Sequence, residues 1–95
     1  MSHLAKNIWV RQKTASSVLR SDGTTGTAKS DTLKLAAPAH GFHANAAGTV
    51  TAKDPDGNSN AFVVVAGGTY PYEVAQIMST GTTLADTEII LGWGP

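Results

Sequence analysis

Gly48-Thr49-Val50-Thr51-Ala52-Lys53-Asp54-Pro55-Asp56-Gly57-Asn58-Ser59-Asn60-Ala61-Phe62-Val63-Val64-Val65 decides the fold. Val50 and Ala52 fall on one side of an extended chain and Thr49, Thr51 and Lys53 on the other, the period-two pattern of a half-buried strand. The next five residues are a turn. Pro55 presets φ, Gly57 accepts a positive φ, and the flanking Asp and Asn side chains bond to nearby backbone. Asn60 to Ala66 then returns with the unbroken apolar run Phe62 to Val65, which predicts a strand covered on both faces. The two runs make a hairpin.

Working toward the C-terminus, Ala66-Gly67-Gly68-Thr69 reads as a second tight turn. Pro71, between Tyr70 and Tyr72, cannot donate to a ladder and marks a strand edge or start. Glu73 to Met78 is too short for a self-sufficient helix, and its alternation predicts a strand. Ser79 to Thr83 and Leu84 to Asp86 are loops. Thr87-Glu88-Ile89-Ile90-Leu91-Gly92-Trp93 predicts a strong final strand, closed by Gly94 and Pro95.

Working toward the N-terminus, Ala39 to Asn45 predicts a strand with His40, Phe42 and Ala44 on one face and His43 on the other. Leu33 and Leu35 flank Lys34 in a short half-buried strand that stops before Pro38. Residues 14–32 hold only Val18 and Leu19 as large apolar side chains, with Asp22-Gly23 as a turn signal. That composition predicts an extended loop or flexible linker. Ile8 and Val10 alternate with Trp9 and Arg11 in another short strand. Lys6, Arg11, Lys13 and Arg20 place four of the seven basic residues in the first twenty, ahead of the first acid, Asp22. The expected organisation is therefore an extended arm over residues 1–30 and a β domain over 31–95. The expected fold class is all-β, a small antiparallel β-sandwich or jelly-roll-like domain of six to eight strands.

Composition narrows the chemistry. Seven Lys and Arg balance seven Asp and Glu, whereas nucleic-acid binders carry a basic excess; no nucleic-acid partner is expected. No apolar run approaches the roughly 18 residues that cross a bilayer, and no secretory leader pattern opens the chain, so no membrane partner is expected and synthesis is assigned to the cytoplasm. The chain has no cysteine, which removes disulfides and thiolate chemistry. Charged residues are only 15% of the chain, and a neutral surface of small residues suits packing against further copies.

Motifs for catalysis or cofactors are missing their essential parts. Asp22-Gly23-Thr24-Thr25-Gly26 lacks the Gly-Lys-Ser/Thr ending of a phosphate loop. Asp54, Asp56, Asn58 and Asn60 imitate the start of a calcium loop, but Phe62 and Val63 follow where the series should lead to a bidentate Glu. His40 and His43 point to opposite faces of a strand, a poor pair of metal ligands. No Gly-x-Ser-x-Gly elbow occurs, and no acid flanks a histidine to orient it. No catalytic residue, metal or cofactor is expected, and the chain reads as a non-enzyme.

The turn grammar resembles that of the head spike base proteins of tailed phages and gene transfer agents. The matching residues are His40-Gly41-Phe42, Ala47-Gly48-Thr49-Val50, Asp56-Gly57, Phe62-Val63-Val64 and Ala66-Gly67-Gly68-Thr69. Pro71-Tyr72, Ile77, Thr80-Gly81-Thr82-Thr83 and Ile89-Ile90 complete the match, which spans residues 31–93. His40 stands where such proteins carry a basic residue. The resemblance implies a structural virion protein, a capsid-surface decoration or head spike base. Such a protein self-associates as a homo-oligomer and docks on the major capsid protein or another virion protein. The candidate docking residues are Ile8, Trp9 and Arg11. The large rings Phe42, Tyr70, Tyr72 and Trp93 are the candidates for subunit contacts. The alternative is a carbohydrate- or host-surface-binding β module, in which Trp9, Tyr70, Tyr72 and Trp93 would stack on sugars.

Overall fold

Nine short strands follow one another in the computed structural model, which describes residues 11–94. They are β1 (Arg11–Thr14), β2 (Val18–Leu19), β3 (Thr25–Gly26), β4 (Gly41–Ala44), β5 (Gly48–Lys53), β6 (Ser59–Val64), β7 (Thr69–Tyr70), β8 (Gln76–Ile77) and β9 (Ile89–Trp93). A single 3-10 turn at Asp86–Glu88 precedes β9, and no α-helix occurs among the described residues. One antiparallel sheet has the order β1-β9-β4-β7, a second has the order β6-β5-β8, and β2 and β3 form a small hairpin.

The central hairpin follows its pattern. β5 pairs with β6 from Gly48↔Val64 to Lys53↔Ser59, and Val50 and Ala52 are fully buried. Gly57 turns with φ +89°. Asp54 makes that turn self-contained: its carboxylate accepts the backbone N–H of Asp56 at 3.0 Å and of Asn58 at 2.9 Å. The carboxylate that opens the calcium-like series is thus occupied by its own loop.

β9 is the spine of the first sheet. It pairs with β1 on one side and β4 on the other. Alternation sends Ile89 and Leu91 inward beside Ala44 and Phe42, all fully buried. The facing sheet contributes Val50, Ala52, Val64 and Ile77 to the same core. Fully burying a side chain of this size contributes about 1.5–3 kcal/mol.

The second sheet does not end cleanly at β8. Beyond it, the Thr80-Gly81-Thr82-Thr83 loop satisfies β5 with side chains in place of a strand. Thr51 N–H donates to Thr82 Oγ1 at 3.0 Å, and Thr49 N–H donates to Thr83 Oγ1 at 2.9 Å. Asp31 ties this loop down from the other side. It accepts Thr80 N–H at 2.9 Å and Thr80 Oγ1–H at 2.6 Å. The Thr80 side-chain bond, followed by the Thr80 backbone bond, holds the Asp31 carboxyl below its ordinary value of 3.8.

Several expectations differ from the structure. Residues 11–30 do not form a free-standing arm. β1 is a strand of the main sheet, and Ala15, Val18 and Ala28 are buried in the common core. The backbone locks them there: Ala15 N–H donates to Ile89 O at 2.8 Å, and Ala28 N–H donates to Ala15 O at 2.6 Å. Small residues do the burying, so a count of large apolar side chains misses it. The Asp22-Gly23 turn does form, with Gly23 at φ +87° and Arg20 N–H donating to Thr24 O at 2.8 Å.

The Phe62 to Val65 run is covered on one face, not two. The core lies on one side of this sheet only, so alternation leaves Val64 buried while Val63 is 84% and Val65 61% exposed. Residues 73–78 form only the two-residue β8 plus a bridge at Val74↔Ala39. Val74, Ala75, Gln76 and Ile77 are all buried in succession, because this segment crosses between the sheets. Leu33 to Leu35 supports a single bridge, Leu35↔Arg20, instead of a strand.

Candidate docking surface

The edges of the two sheets define what this molecule can offer a partner. β1 is terminal in one sheet and β6 in the other. An edge strand presents unpaired backbone donors and acceptors, which natural sheets protect with charge, proline or a covering segment. These two edges are built differently.

The β6 edge is neutral. From Gly57 to Tyr72 no residue carries a formal charge. Ala61, Val63 and Val65 project outward from it. Behind it lies a continuous aromatic ladder. Phe42 stacks on Tyr70 with ring centroids 5.2 Å apart, and Phe62 meets Phe42 edge-on at 5.7 Å. Tyr72 meets Phe62 at 4.6 Å. The Tyr70 hydroxyl accepts Val65 N–H at 3.0 Å, and the Tyr72 hydroxyl accepts Asn60 Nδ2–H at 3.0 Å.

The β1 edge is basic. A cleft of about 140 Å³ opens between β1, the β2 strand and the Ala36–Ala37 segment. Val18, Leu19, Ala36, Ala37 and Trp93 supply its apolar wall, and Arg11 and Lys13 supply its charge, with no carboxylate in the lining. Register explains how the cations come to be there. Arg11 lies opposite Trp93 and Lys13 opposite Leu91, and directly opposed residues share a face. Positions 11 and 13 therefore continue the row that Ala15 begins inside the core, at the margin where the covering segment stops. The Arg11 guanidinium lies 5.9 Å from the Trp93 ring centroid, in cation–π range.

The remaining end of the cleft is held by hydrogen bonds. Trp93 Nε1–H donates to Ala37 O at 3.1 Å. Gly94 N–H donates to His40 Nδ1 at 2.7 Å, and His40 N–H donates to Gly92 O at 2.8 Å. His40 thus fastens the end of β9. His43, on the opposite side of β4, shares a hydrogen bond with Thr69 Oγ1 at 2.9 Å. The two histidines serve separate strand contacts.

The residues nominated from sequence fall into three groups. Arg11 and Trp93 come together at the cleft. Ile8 and Trp9 lie outside the described residues. Phe42, nominated for a subunit contact, is fully buried and presents no surface to a second copy. Its inward position follows from β4 alternation, which sends Phe42 and Ala44 into the core. Tyr70 and Tyr72 are half-buried members of the ladder behind β6. Sequence reasoning missed Lys13, Leu19 and the Ala36–Ala37 wall. Only the alternation of positions 11, 13 and 15 signalled the first of these. Leu19 is 56% exposed, and nothing local to it distinguishes it from a core residue.

No protein-family model matches the chain, and no curated protein matches it. A chain in the solved structure of the capsid of a native GTA particle, computed with C5 symmetry, matches with a TM-score of 0.62 and 24% sequence identity. The match covers 90% of this chain and 82% of that one. Agreement at this level shows a shared fold: an all-β domain of short antiparallel strands, consistent with a small β-sandwich.

Proposed function

We propose that this chain is a structural component of a phage-type particle, a capsid-surface decoration or head spike base protein. It self-associates and docks on the major capsid protein or another virion protein. The reading assigns it to the virion and gives it no catalytic role. The observation that carries it is the fold shared over 90% of the chain with a component of a GTA capsid structure. The turn grammar of residues 31–93 points the same way. The surface fits this role as well: a neutral β6 edge suits contact with identical copies, since it brings no like charges together.

The carbohydrate-binding alternative has less support from the geometry. The Tyr70 and Tyr72 hydroxyls and the Trp93 indole N–H already have internal partners, and the three rings pack on the core. Light scattering of the purified chain tests self-association. The expected mass is a multiple of the 9.8 kDa protomer; a strict monomer at all concentrations would contradict it. Val63→Lys, which charges the neutral edge, is expected to lower that mass while leaving the melting temperature unchanged.

A further inference from the structure

We propose that the basic cleft at the β1 edge is a docking groove for an extended acidic segment of a partner protein, one in which carboxylate side chains alternate with an aliphatic one. The proposal rests on the virion reading for the partner's place of action, but not for its chemistry.

Charge selects the occupant. The lining holds Arg11 and Lys13 and no carboxylate, so an incoming carboxylate gains two cations and meets no repulsion. A second copy presenting the same edge would set cation against cation. The chain's own residues 1–10 contain Lys6 and no acid, so they offer no carboxylate to these two cations. An acidic segment from a different protein is the complement.

Shape selects its conformation. β1 pairs with β9 on one side and has no strand partner on the other among the described residues. An extended peptide adds to such an edge through backbone hydrogen bonds, and alternate side chains fill pockets beside it. The apolar wall of Leu19 and Trp93 then receives the aliphatic side chain. A volume of about 140 Å³ is close to the roughly 150 Å³ cavity that holds one benzene-sized group. Arg11 and Lys13, two residues apart on one face, meet carboxylates on either side of it. Inward-facing charge at an edge also discourages indiscriminate pairing, so the same two cations admit an acidic strand and reject neutral ones.

The test uses the full chain, isotope-labelled for NMR, and two capped synthetic hexapeptides. One alternates valine with glutamate and the other valine with lysine. The glutamate peptide is expected to shift the backbone signals of residues 11–14, Leu19 and Ala37 and the Trp93 indole N–H, with binding that weakens as salt rises. The lysine peptide is expected to leave them unmoved. The double variant Arg11→Glu/Lys13→Glu should lose glutamate-peptide binding at least tenfold and acquire lysine-peptide binding, with its circular dichroism spectrum unchanged. Leu19→Ser should weaken the glutamate peptide severalfold without altering the salt dependence.

Equal binding of both peptides, shifts confined to Val63–Val65, or no binding at millimolar concentration would overturn the proposal. So would binding that appears only after residues 1–10 are removed, because the chain itself would then be the occupant. None of these results would alter the self-association measured by light scattering, so failure of the groove is distinguishable from failure of the virion reading.

Discussion

Phe42→Ala is expected to lower the unfolding free energy by about 3–5 kcal/mol, the range for removing a buried aromatic ring from a core that collapses only partly. Phe42 is fully buried and sits on β4, which bridges β9 and β7. Its ring also touches Tyr70 and Phe62, so the ladder behind the β6 edge loses its inner member. Aromatic pairs contribute about 0.5–1.5 kcal/mol each beyond their buried area, which places the expected loss in the upper part of that range. Domains of this size are stable by only about 5–15 kcal/mol, so the variant is expected to be partly unfolded at moderate urea. Urea denaturation followed by circular dichroism measures it. A loss below about 1.5 kcal/mol, smaller than the transfer of one large apolar side chain, would contradict the placement of this ring at the centre of the core.

Gly48→Ala is the second large effect, and it arises from the opposite cause. A Cβ at Gly48 would lie 2.5 Å from Thr83 Oγ1 and 2.6 Å from Leu84 Cδ1. Leu84 is buried and cannot swing away. Thr83 Oγ1 accepts the Thr49 N–H, so displacing it breaks the side-chain ladder that substitutes for a strand along β5. Overpacking costs about 1–3 kcal/mol, and the unfavourable φ of +156° adds about 1 kcal/mol or more. The expected loss is about 2–4 kcal/mol. Gly57→Ala provides the comparison. Its φ is +89° but nothing lies within 4 Å of the added Cβ, so only the conformational cost of about 1 kcal/mol applies. Equal losses at the two glycines would show that the Thr80–Thr83 loop is not packed on β5 as described.

The parts of this fold that were readable in advance are those governed by local rules. Alternation at Val50 and Ala52, the Asp54–Asn58 turn, the Gly67 turn and the β9 run each depend on residues within a few positions of one another. What was not readable depends on tertiary packing: which face of a sheet is covered and which loops close on it. Val63 belongs to an apolar run that is indistinguishable from a doubly covered strand until the outer face of its sheet is known to be open. Ala15 and Ala28 carry little hydrophobic signal, yet close approach of the backbone makes them core residues. The Thr80–Thr83 loop acts as a strand through hydroxyl groups, which no periodicity reports. The candidate docking surface is half legible in the sequence: Arg11 and Trp93 stand out separately, and the register Arg11↔Trp93 joins them. Leu19 and the Ala36–Ala37 wall come from segments with no pattern linking them to β1. The size of the Phe42 ring says nothing of its direction; its pairing with Leu91 on β9 turns it into the core.

The proposed role ties these features together. In that proposed role the neutral β6 edge would meet further copies and the basic cleft an acidic partner segment. Arg11, Lys13, Leu19 and Val63 lie on strands, so ordering these positions adds little to the cost of association. The most direct test is sedimentation of assembled shells of the major capsid protein, produced together with this chain in the same cells. The account predicts that the chain travels with the shells at a fixed ratio, and that charge reversal at Arg11 and Lys13 releases it. A chain that remains at the top of the gradient, with shells assembling and sedimenting without it, would contradict the account.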